Sequence, residues 1–177
     1  MPFVVSDRES SPAAEDVMRP IDRYFGEYGA FHRDPRNEAT HALGIPMIVL
    51  AIVMWLQNVP LGTLGGVAID LAWLMILAVS IFYIRLHVAL GIAMTLVLAA
   101  FHLLGARVLG ANVWTAAALF VVGWALQFVG HAFEGKRPAF MRNGVHLLVG
   151  PMWILGRLLA HAGIGASSAR PAASEKD

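Results

Sequence analysis

The longest uncharged stretch of the chain limits its fold more than any other feature. No Asp, Glu, Lys or Arg occurs between Glu38 and Asp70, and a second apolar stretch fills the interval between Arg85 and Arg107. Each interval can hold a helix of about 20 residues, the length that crosses a bilayer once. Because 58% of the residues are hydrophobic and 14% are charged, a soluble domain of this length would leave much apolar surface in water. The sequence therefore predicts a membrane protein.

Turn-forming residues divide the apolar stretches into an all-α bundle of about five hydrophobic helices. Proline and glycine at four positions between residues 58 and 66 interrupt the first stretch, which predicts a turn there. The last helix contains Pro151 and Arg157, so a tilted, broken or partly inserted helix is an alternative to a full span. The five predicted helices cover residues 38–57, 67–85, 86–106, 111–133 and 145–160.

The residues outside these spans form a short helix and two tails. Ile21, Tyr24, Phe25 and Tyr28 recur at helical spacing, which predicts an interfacial helix near the N-terminus, over residues 20–31. No cleavable signal peptide is expected, because the first twenty residues contain several acidic side chains and no apolar core. Residues 17–163 are predicted to form a single membrane-embedded domain between disordered tails at 1–16 and 164–177.

The distribution of basic residues orients this predicted bundle. With five spans, nine Lys and Arg lie on the side of the N-terminus: Arg8, Arg19, Arg23, Arg33, Arg36, Arg85, Lys136, Arg137 and Arg142. The opposite side receives four: Arg107, Arg157, Arg170 and Lys176. The positive-inside rule therefore predicts a cytoplasmic N-terminus and a C-terminus on the outside. A net charge of +1 does not indicate a nucleic-acid partner.

Five of the seven histidines fall on the predicted cytoplasmic side: His32, His41, His87, His131 and His146. In the segment 32–41, Asn37 and His41 are four residues apart and share one helix face. Pro35 starts that helix, which allows His32 to fold back toward His41. The remaining histidines, together with His87 and His146, are interpreted as ordinary interfacial side chains.

A second polar segment lies at the end of the fourth predicted helix. Gln127, His131 and Glu134 form a stripe that is expected to face the bundle interior. The chain has no cysteine, so an imidazole cluster favours non-haem iron or zinc. His32, His41 and His131 are the candidate metal ligands. Glu134 has an alternative partner in a nearby basic residue or a lipid headgroup, Asn37 could merely cap its helix, and Asp70 is expected to cap the second helix.

These two segments resemble the small integral-membrane 2-hydroxy fatty acid dioxygenases, a family typified by a fungal endoplasmic-reticulum enzyme of phytosphingosine breakdown and found in many bacteria. The N-terminal signature consists of Tyr28, His32, Pro35, Asn37 and His41, followed by residues 44–46. The C-terminal signature consists of Gly123, Trp124, Gln127, Phe128, Gly130 and His131, followed by residues 134–140 and 150–151. Two separate signatures in the same order make the resemblance fairly specific.

The resemblance implies an iron(II)-dependent α-oxidation, in which a 2-hydroxy fatty acid and dioxygen give a fatty acid one carbon shorter. It implies that His32, His41 and His131 bind the iron, and Glu134 and Asn37 are the further catalytic candidates. The protein would then lie in a bacterial inner membrane, or in the endoplasmic-reticulum membrane of a eukaryote, with its metal site on the cytoplasmic side and in contact with membrane lipid.

Basic residues near the second signature are expected to bind the substrate carboxylate, while its acyl chain lies between apolar helices. The candidates are Lys136, Arg137 and Arg142. Two other function classes remain open. A zinc-dependent membrane hydrolase would use the same ligands to activate water, and a non-enzymatic lipid-binding or transport protein would need no tightly bound metal.

Overall fold

The computed structural model describes residues 19–135, 141 and 143–164, which form six helices and one two-stranded hairpin. In chain order, the elements are α1 Pro20–Gly29, α2 Pro35–Gln57, β1 Pro60–Leu64, β2 Val67–Asp70, α3 Leu71–Leu86, α4 Val88–Arg107, α5 Val113–Glu134 and α6 His146–His161. The predicted tails lie outside the described residues, apart from Ile164. The division into one domain and two tails stays a prediction.

Side chains that accept backbone N–H groups begin four of these helices. The Asp34 carboxylate accepts the N–H of Arg36 at 2.8 Å, and Pro35 provides the first residue of α2. Asp70 caps α3, as the sequence predicts, by accepting the N–H of Trp73 at 3.2 Å. The other two caps are His87 before α4 and Asn112 before α5.

Three of the helices are long and apolar enough to cross a membrane: α2, α4 and α5. The helix between α2 and α4 in the chain, α3, is also apolar but is shorter, with 16 residues. α2 and α5 run in opposite directions, since Trp55 near the end of α2 donates to the carbonyl of Val113 at the start of α5. α3 and α4 also run in opposite directions, since His102 near the end of α4 contacts Asp70 at the start of α3. The bundle of α2, α3, α4 and α5 therefore has two ends. At the histidine end, α2 begins and α5 finishes, and at the hairpin end β1 and β2 lie.

Glycines let α2 and α5 pack closely along their length. A Cβ atom on Gly123 would lie 2.7 Å from the Cγ1 atom of Ile48 and 2.9 Å from the carbonyl oxygen of Gly44. Small residues at such crossings let two backbones approach within a membrane, where water cannot drive association. This close contact brings the histidines of α2 and α5 to the same level.

The region predicted as a simple turn forms an antiparallel hairpin, so the all-α prediction is wrong there. Leu64 pairs with Val67 across the two-residue loop of Gly65 and Gly66, which have φ values of 58° and 81°. Two left-handed residues in succession are typical of the turn that joins short antiparallel strands. As a result, α3 begins at Leu71 rather than near residue 67.

The expected fifth span is not confirmed, because α6 lies across the histidine end. The Arg157 guanidinium near its C-terminus donates to the Glu38 carboxylate in the first turn of α2, at 2.6 and 2.8 Å. Near its N-terminus, the carbonyl of Leu148 accepts the Tyr83 hydroxyl at the end of α3, at 2.9 Å. The prediction that Arg157 lies across the membrane from Glu38 is therefore wrong, and the predicted external C-terminus loses its basis.

Candidate metal centre

Three histidines from separate parts of the chain meet at the histidine end of the bundle. His32 precedes α2, His41 lies in its second turn and His131 lies in the last turn of α5. One ring nitrogen of each lies within 4.8 Å of the others, and all three side chains are buried. The structure thus brings together the residues that the sequence nominated as ligands, although their binding of a metal stays a prediction.

Backbone carbonyls orient two of the three rings. The Nδ1 atom of His32 donates to the Tyr28 carbonyl at 2.8 Å, and the Nδ1 atom of His41 donates to the Asn37 carbonyl at 2.9 Å. Since a carbonyl can only accept, each ring carries its proton on Nδ1 and has a lone pair on Nε2. Metal-binding histidines are held in this way in proteins, with the second ring nitrogen bound to a carbonyl or carboxylate.

Unsatisfied ring nitrogens also fit a metal at this position. Within the described part of the chain, the buried Nε2 atom of His32 and the buried Nδ1 atom of His131 have no hydrogen-bond partner. Burying a polar atom without a partner costs about 1–3 kcal/mol, and a bound cation would remove that cost. The donor set of three imidazoles without sulfur suits iron or zinc.

Burial keeps His32 and the neighbouring Tyr28 uncharged. It lowers the pKa of His32 to about 4, so that this ring is neutral at neutral pH and able to bind a metal. The Tyr28 ring stacks on His32 with 4.1 Å between the ring centroids, and burial raises the pKa of its phenol. The phenol therefore stays protonated beside the histidines.

Glu134 and Asn37 hold the loop that carries His32. The Glu134 carboxylate accepts the backbone N–H of Arg33 at 3.0 Å, that of Asp34 at 2.9 Å and the side-chain N–H of Asn37 at 3.2 Å. Asn37 also donates to the Phe31 carbonyl at 3.1 Å. These contacts make both side chains positioning residues for the cluster, whereas the direct catalytic roles expected for them stay predictions.

A cavity of about 410 Å³ begins at the three histidines and continues between the helices. Its wall is mostly apolar, with the polar side chains of Tyr28, Gln127 and His146 near the histidines. A volume of this size is typical of a small-molecule site. The sequence predicts an ordinary interfacial role for His146, because its spacing does not relate it to the other histidines, whereas the structure places it in the cavity wall.

Three predicted substrate-binding residues lie outside the described residues: Lys136, Arg137 and Arg142. A polar pair that the sequence does not predict lies at the hairpin end. There the Nε2 atom of His102 lies 2.9 Å from the Asp70 carboxylate, and both groups are largely buried. The two residues are far apart in the sequence, and no spacing rule could have paired them.

The fold and the site together define a class of protein: an apolar helical bundle of membrane type with a buried three-histidine candidate metal centre. A family model described as 2-hydroxy-palmitic acid dioxygenase Mpo1-like matches residues 18–162. The 2-hydroxy-palmitic acid dioxygenase MPO1 of Saccharomyces cerevisiae is 32% identical over 142 residues, which cover 78% of this chain and 79% of the yeast protein. The chain belongs to the Mpo1-like family, which confirms the resemblance seen in the two signatures. No solved structure matches the chain.

Proposed function

We propose that this protein is an iron(II)-dependent dioxygenase that converts 2-hydroxy fatty acids to fatty acids one carbon shorter. The observation that carries this proposal is the opening of the three-histidine cluster into an apolar cavity. A hydrophilic substrate would not fit such a wall, whereas an acyl chain would. The name of the yeast relative, a 2-hydroxy-palmitic acid dioxygenase, supports the same substrate class.

The Nε2 atoms of His32 and His41, together with the His131 ring, would hold the iron. When bound, iron(II) supplies the redox chemistry that a reaction with dioxygen requires. Carbonyl hydrogen bonds to His32 and His41 keep their rings in the required tautomer. The Glu134 carboxylate keeps the His32 loop against α5.

Different parts of the cavity wall would bind the polar headgroup and the acyl chain of the substrate. Its polar residues lie near the histidines and would face the carboxylate and hydroxyl groups, while the apolar residues further along would contact the acyl chain. Lys136, Arg137 and Arg142 remain our candidates for binding the carboxylate, because guanidinium and ammonium groups match its charge.

We also propose that the histidine end faces the cytoplasm. Among the described residues, six of the basic side chains lie at that end: Arg19, Arg23, Arg33, Arg36, Arg85 and Arg157. Arg107 lies at the hairpin end. Basic residues accumulate on the cytoplasmic side of membrane proteins, which favours a cytoplasmic position for the site. The membrane that we propose is a bacterial inner membrane, or the endoplasmic-reticulum membrane of a eukaryote.

The proposal is tested on protein purified in detergent. We expect iron to copurify, oxygen to be consumed with 2-hydroxypalmitate, and mass spectrometry to detect pentadecanoate as the product. Replacing His32, His41 or His131 by Ala should lower iron content and abolish turnover. His161→Ala is the control, because His161 is exposed and its ring contacts the carbonyl of Arg157, outside the cluster.

Other outcomes of this test identify the alternative functions. Copurified zinc and an activity that persists without oxygen would indicate a membrane hydrolase that activates water. Protein with no bound metal and no turnover would indicate a lipid-binding or transport role. Equal losses in the His161→Ala control and in the cluster variants would contradict the assigned ligand set.

A further inference from the structure

The Tyr28 hydroxyl lies in the cavity wall, close to the three histidines. The Tyr28 ring is nearly parallel to the His32 ring, with an angle of 11° between them, and both residues line the cavity. A Cβ atom on Gly150 would lie 2.8 Å from the Tyr28 hydroxyl oxygen and 3.3 Å from the Cδ1 atom of Ile45. Gly150 and Ile45 also line the cavity, and Ile45 is one helical turn beyond His41. The hydroxyl is therefore placed where it can contact a ligand that starts at the histidines.

This hydroxyl is unpartnered and accessible from the cavity. Tyr28 is 5% exposed, and within the described part of the chain its hydroxyl makes no hydrogen bond. The unpartnered ring nitrogens of His32 and His131 are fully buried, whereas the Tyr28 oxygen keeps accessible surface. A phenol retains its proton at neutral pH and can donate it in a hydrogen bond. A ligand in the cavity can accept that bond.

Other donors of the described cavity wall are less available, and no Lys or Arg belongs to that wall. The Tyr83 hydroxyl already donates to a backbone carbonyl of α6. The Nε2 atom of His146 lies 3.5 Å from the Glu27 carboxylate, and the side-chain nitrogen of Gln127 is fully buried. The Tyr28 hydroxyl therefore offers a free donor in a mostly apolar surface.

We propose that the Tyr28 hydroxyl donates a hydrogen bond to the carboxylate of the fatty acid and that Gly150 leaves the space for this contact. The inference rests on the proposed function for its ligand class. A hydrogen bond to an ionised acceptor is shorter and stronger than one to a neutral acceptor, so the carboxylate is a better partner for the phenol than the 2-hydroxyl is. A carboxylate accepts several hydrogen bonds, and the basic residues proposed above can bind it at the same time.

Tyr28→Phe tests the contact because it keeps the ring on His32 and removes only the hydroxyl. We expect the KM for 2-hydroxypalmitate to rise about tenfold, which corresponds to about 1.4 kcal/mol, while the iron content stays unchanged. The kcat should change less, since the bond holds the substrate before and during the reaction. Tyr24→Phe is the control, because Tyr24 also lies on α1 but outside the cavity wall. It should keep the KM of the original protein.

A binding measurement separates this inference from the proposed reaction. Palmitate lacks the 2-hydroxyl group, and protein kept under nitrogen has no dioxygen to react with. A ligand stabilises the fold that binds it, so melting temperatures over a series of ligand concentrations report affinity. Tyr28→Phe should bind palmitate about tenfold more weakly and its neutral methyl ester at most about threefold more weakly. Tyr24→Phe should bind both ligands as the original protein does.

Gly150→Ala tests the position of the hydroxyl independently. Its Cβ atom would lie 2.8 Å from the Tyr28 oxygen, so the melting temperature should fall and palmitate binding should weaken more than ester binding. The fall should be smaller when Gly150→Ala is combined with Tyr28→Phe, because the oxygen is then absent. Falls of equal size in both backgrounds would show that the hydroxyl does not contact residue 150 and would overturn the inference.

The remaining outcomes distinguish the two proposals. Weaker palmitate binding in Tyr28→Phe, with no turnover of any 2-hydroxy acid by the original protein, would sink the proposed function alone. Unchanged palmitate binding in folded Tyr28→Phe would overturn the inference, and weaker binding of 2-hydroxypalmitate alone would assign the phenol to the 2-hydroxyl instead. Equal losses for palmitate and its ester, or a loss of iron, would assign the hydroxyl a structural role and also overturn the inference.

Discussion

Single side chains decide how well the histidine cluster is positioned. The Glu134 carboxylate contacts the loop before α2 through two backbone N–H groups and the Asn37 amide, and His32 lies in that loop. A carboxylate accepts hydrogen bonds at both of its oxygens, whereas a side-chain amide accepts at one oxygen only. The Glu134 carboxylate can therefore bind these three N–H groups at once. Removing a group that orients a metal ligand typically lowers metal affinity about 10-fold to 100-fold.

Replacing Glu134 by Gln should therefore lower the affinity for iron about tenfold. The free energy of unfolding should fall by less than the free energy of iron binding. Competition with a chelator of known affinity measures the change. Asp22→Asn is the control, because Asp22 pairs with the exposed Arg19 at the start of α1 and lies outside the loop. A Glu134→Gln variant that keeps its iron affinity but loses turnover would contradict the positioning role and favour direct participation in catalysis.

Gly130 allows α5 to approach the histidines of α2. A Cβ atom at this position would lie 2.5 Å from the Oδ1 atom of Asn37 and 3.1 Å from the Nδ1 atom of His41. Gly130→Ala should therefore destabilise the protein by about 1–3 kcal/mol and reduce its iron content. Gly26→Ala serves as the control, since nothing lies within 4 Å of its added Cβ atom. Equal melting temperatures and iron contents for the two variants would show that the contact has no effect.

At the scale of elements, α6 differs from the other apolar helices because it covers one end of the bundle. It has 16 residues, and its contacts with Glu38 and Tyr83 lie at the histidine end. Its buried residues, including Trp153, pack against α1 and the aromatic ring of His32. An apolar helix can thus be buried by protein contacts at one end of a bundle.

The position of α6 predicts the labelling of single cysteines, and the chain has none of its own. Arg33→Cys and Leu158→Cys should react with an impermeant reagent from one side of the membrane, and Thr63→Cys in the hairpin should react from the other. All three positions are exposed. Leu158→Cys that reacts from the same side as Thr63→Cys would mean that α6 crosses the membrane.

At the scale of the whole molecule, the metal would join parts of the chain that are distant in sequence. The ligands come from the loop after α1, from α2 and from the end of α5. A ligand at a concentration one hundred times its dissociation constant stabilises the folded state by about 2.7 kcal/mol. The stability of the assembled bundle should therefore depend on metal.

Removing iron with a chelator should lower the melting temperature, and adding iron(II) back under nitrogen should restore it. The His41→Ala variant should show no such response, while His161→Ala should respond as the original protein does. Thermal unfolding followed by circular dichroism measures both effects. An unchanged melting temperature after verified iron removal would contradict a metal bound between these elements.

The sequence predicted most of the helices, and it nominated three histidines that the structure brings together, because both inferences depend on local patterns. Apolar length identified the helical stretches, and the helix start at Pro35 with His41 one turn after Asn37 identified one half of the cluster. The two-residue loop at Gly65 and Gly66 was assigned to a turn but not to a hairpin. Strand pairing requires a partner, and the turn residues alone do not show whether the flanking segments pair.

The sequence by itself determined that this chain is apolar and helical, that it belongs to a membrane, and that His32, His41 and His131 are its candidate ligands. Only the tertiary structure decided that Glu38 pairs with Arg157, so that α6 lies across the bundle, and that an apolar cavity begins at the three histidines. Apolar composition and helical periodicity are properties of residues that are close together in the sequence. An ion pair or a cavity depends instead on which distant helices pack together. That packing is a property of the complete fold.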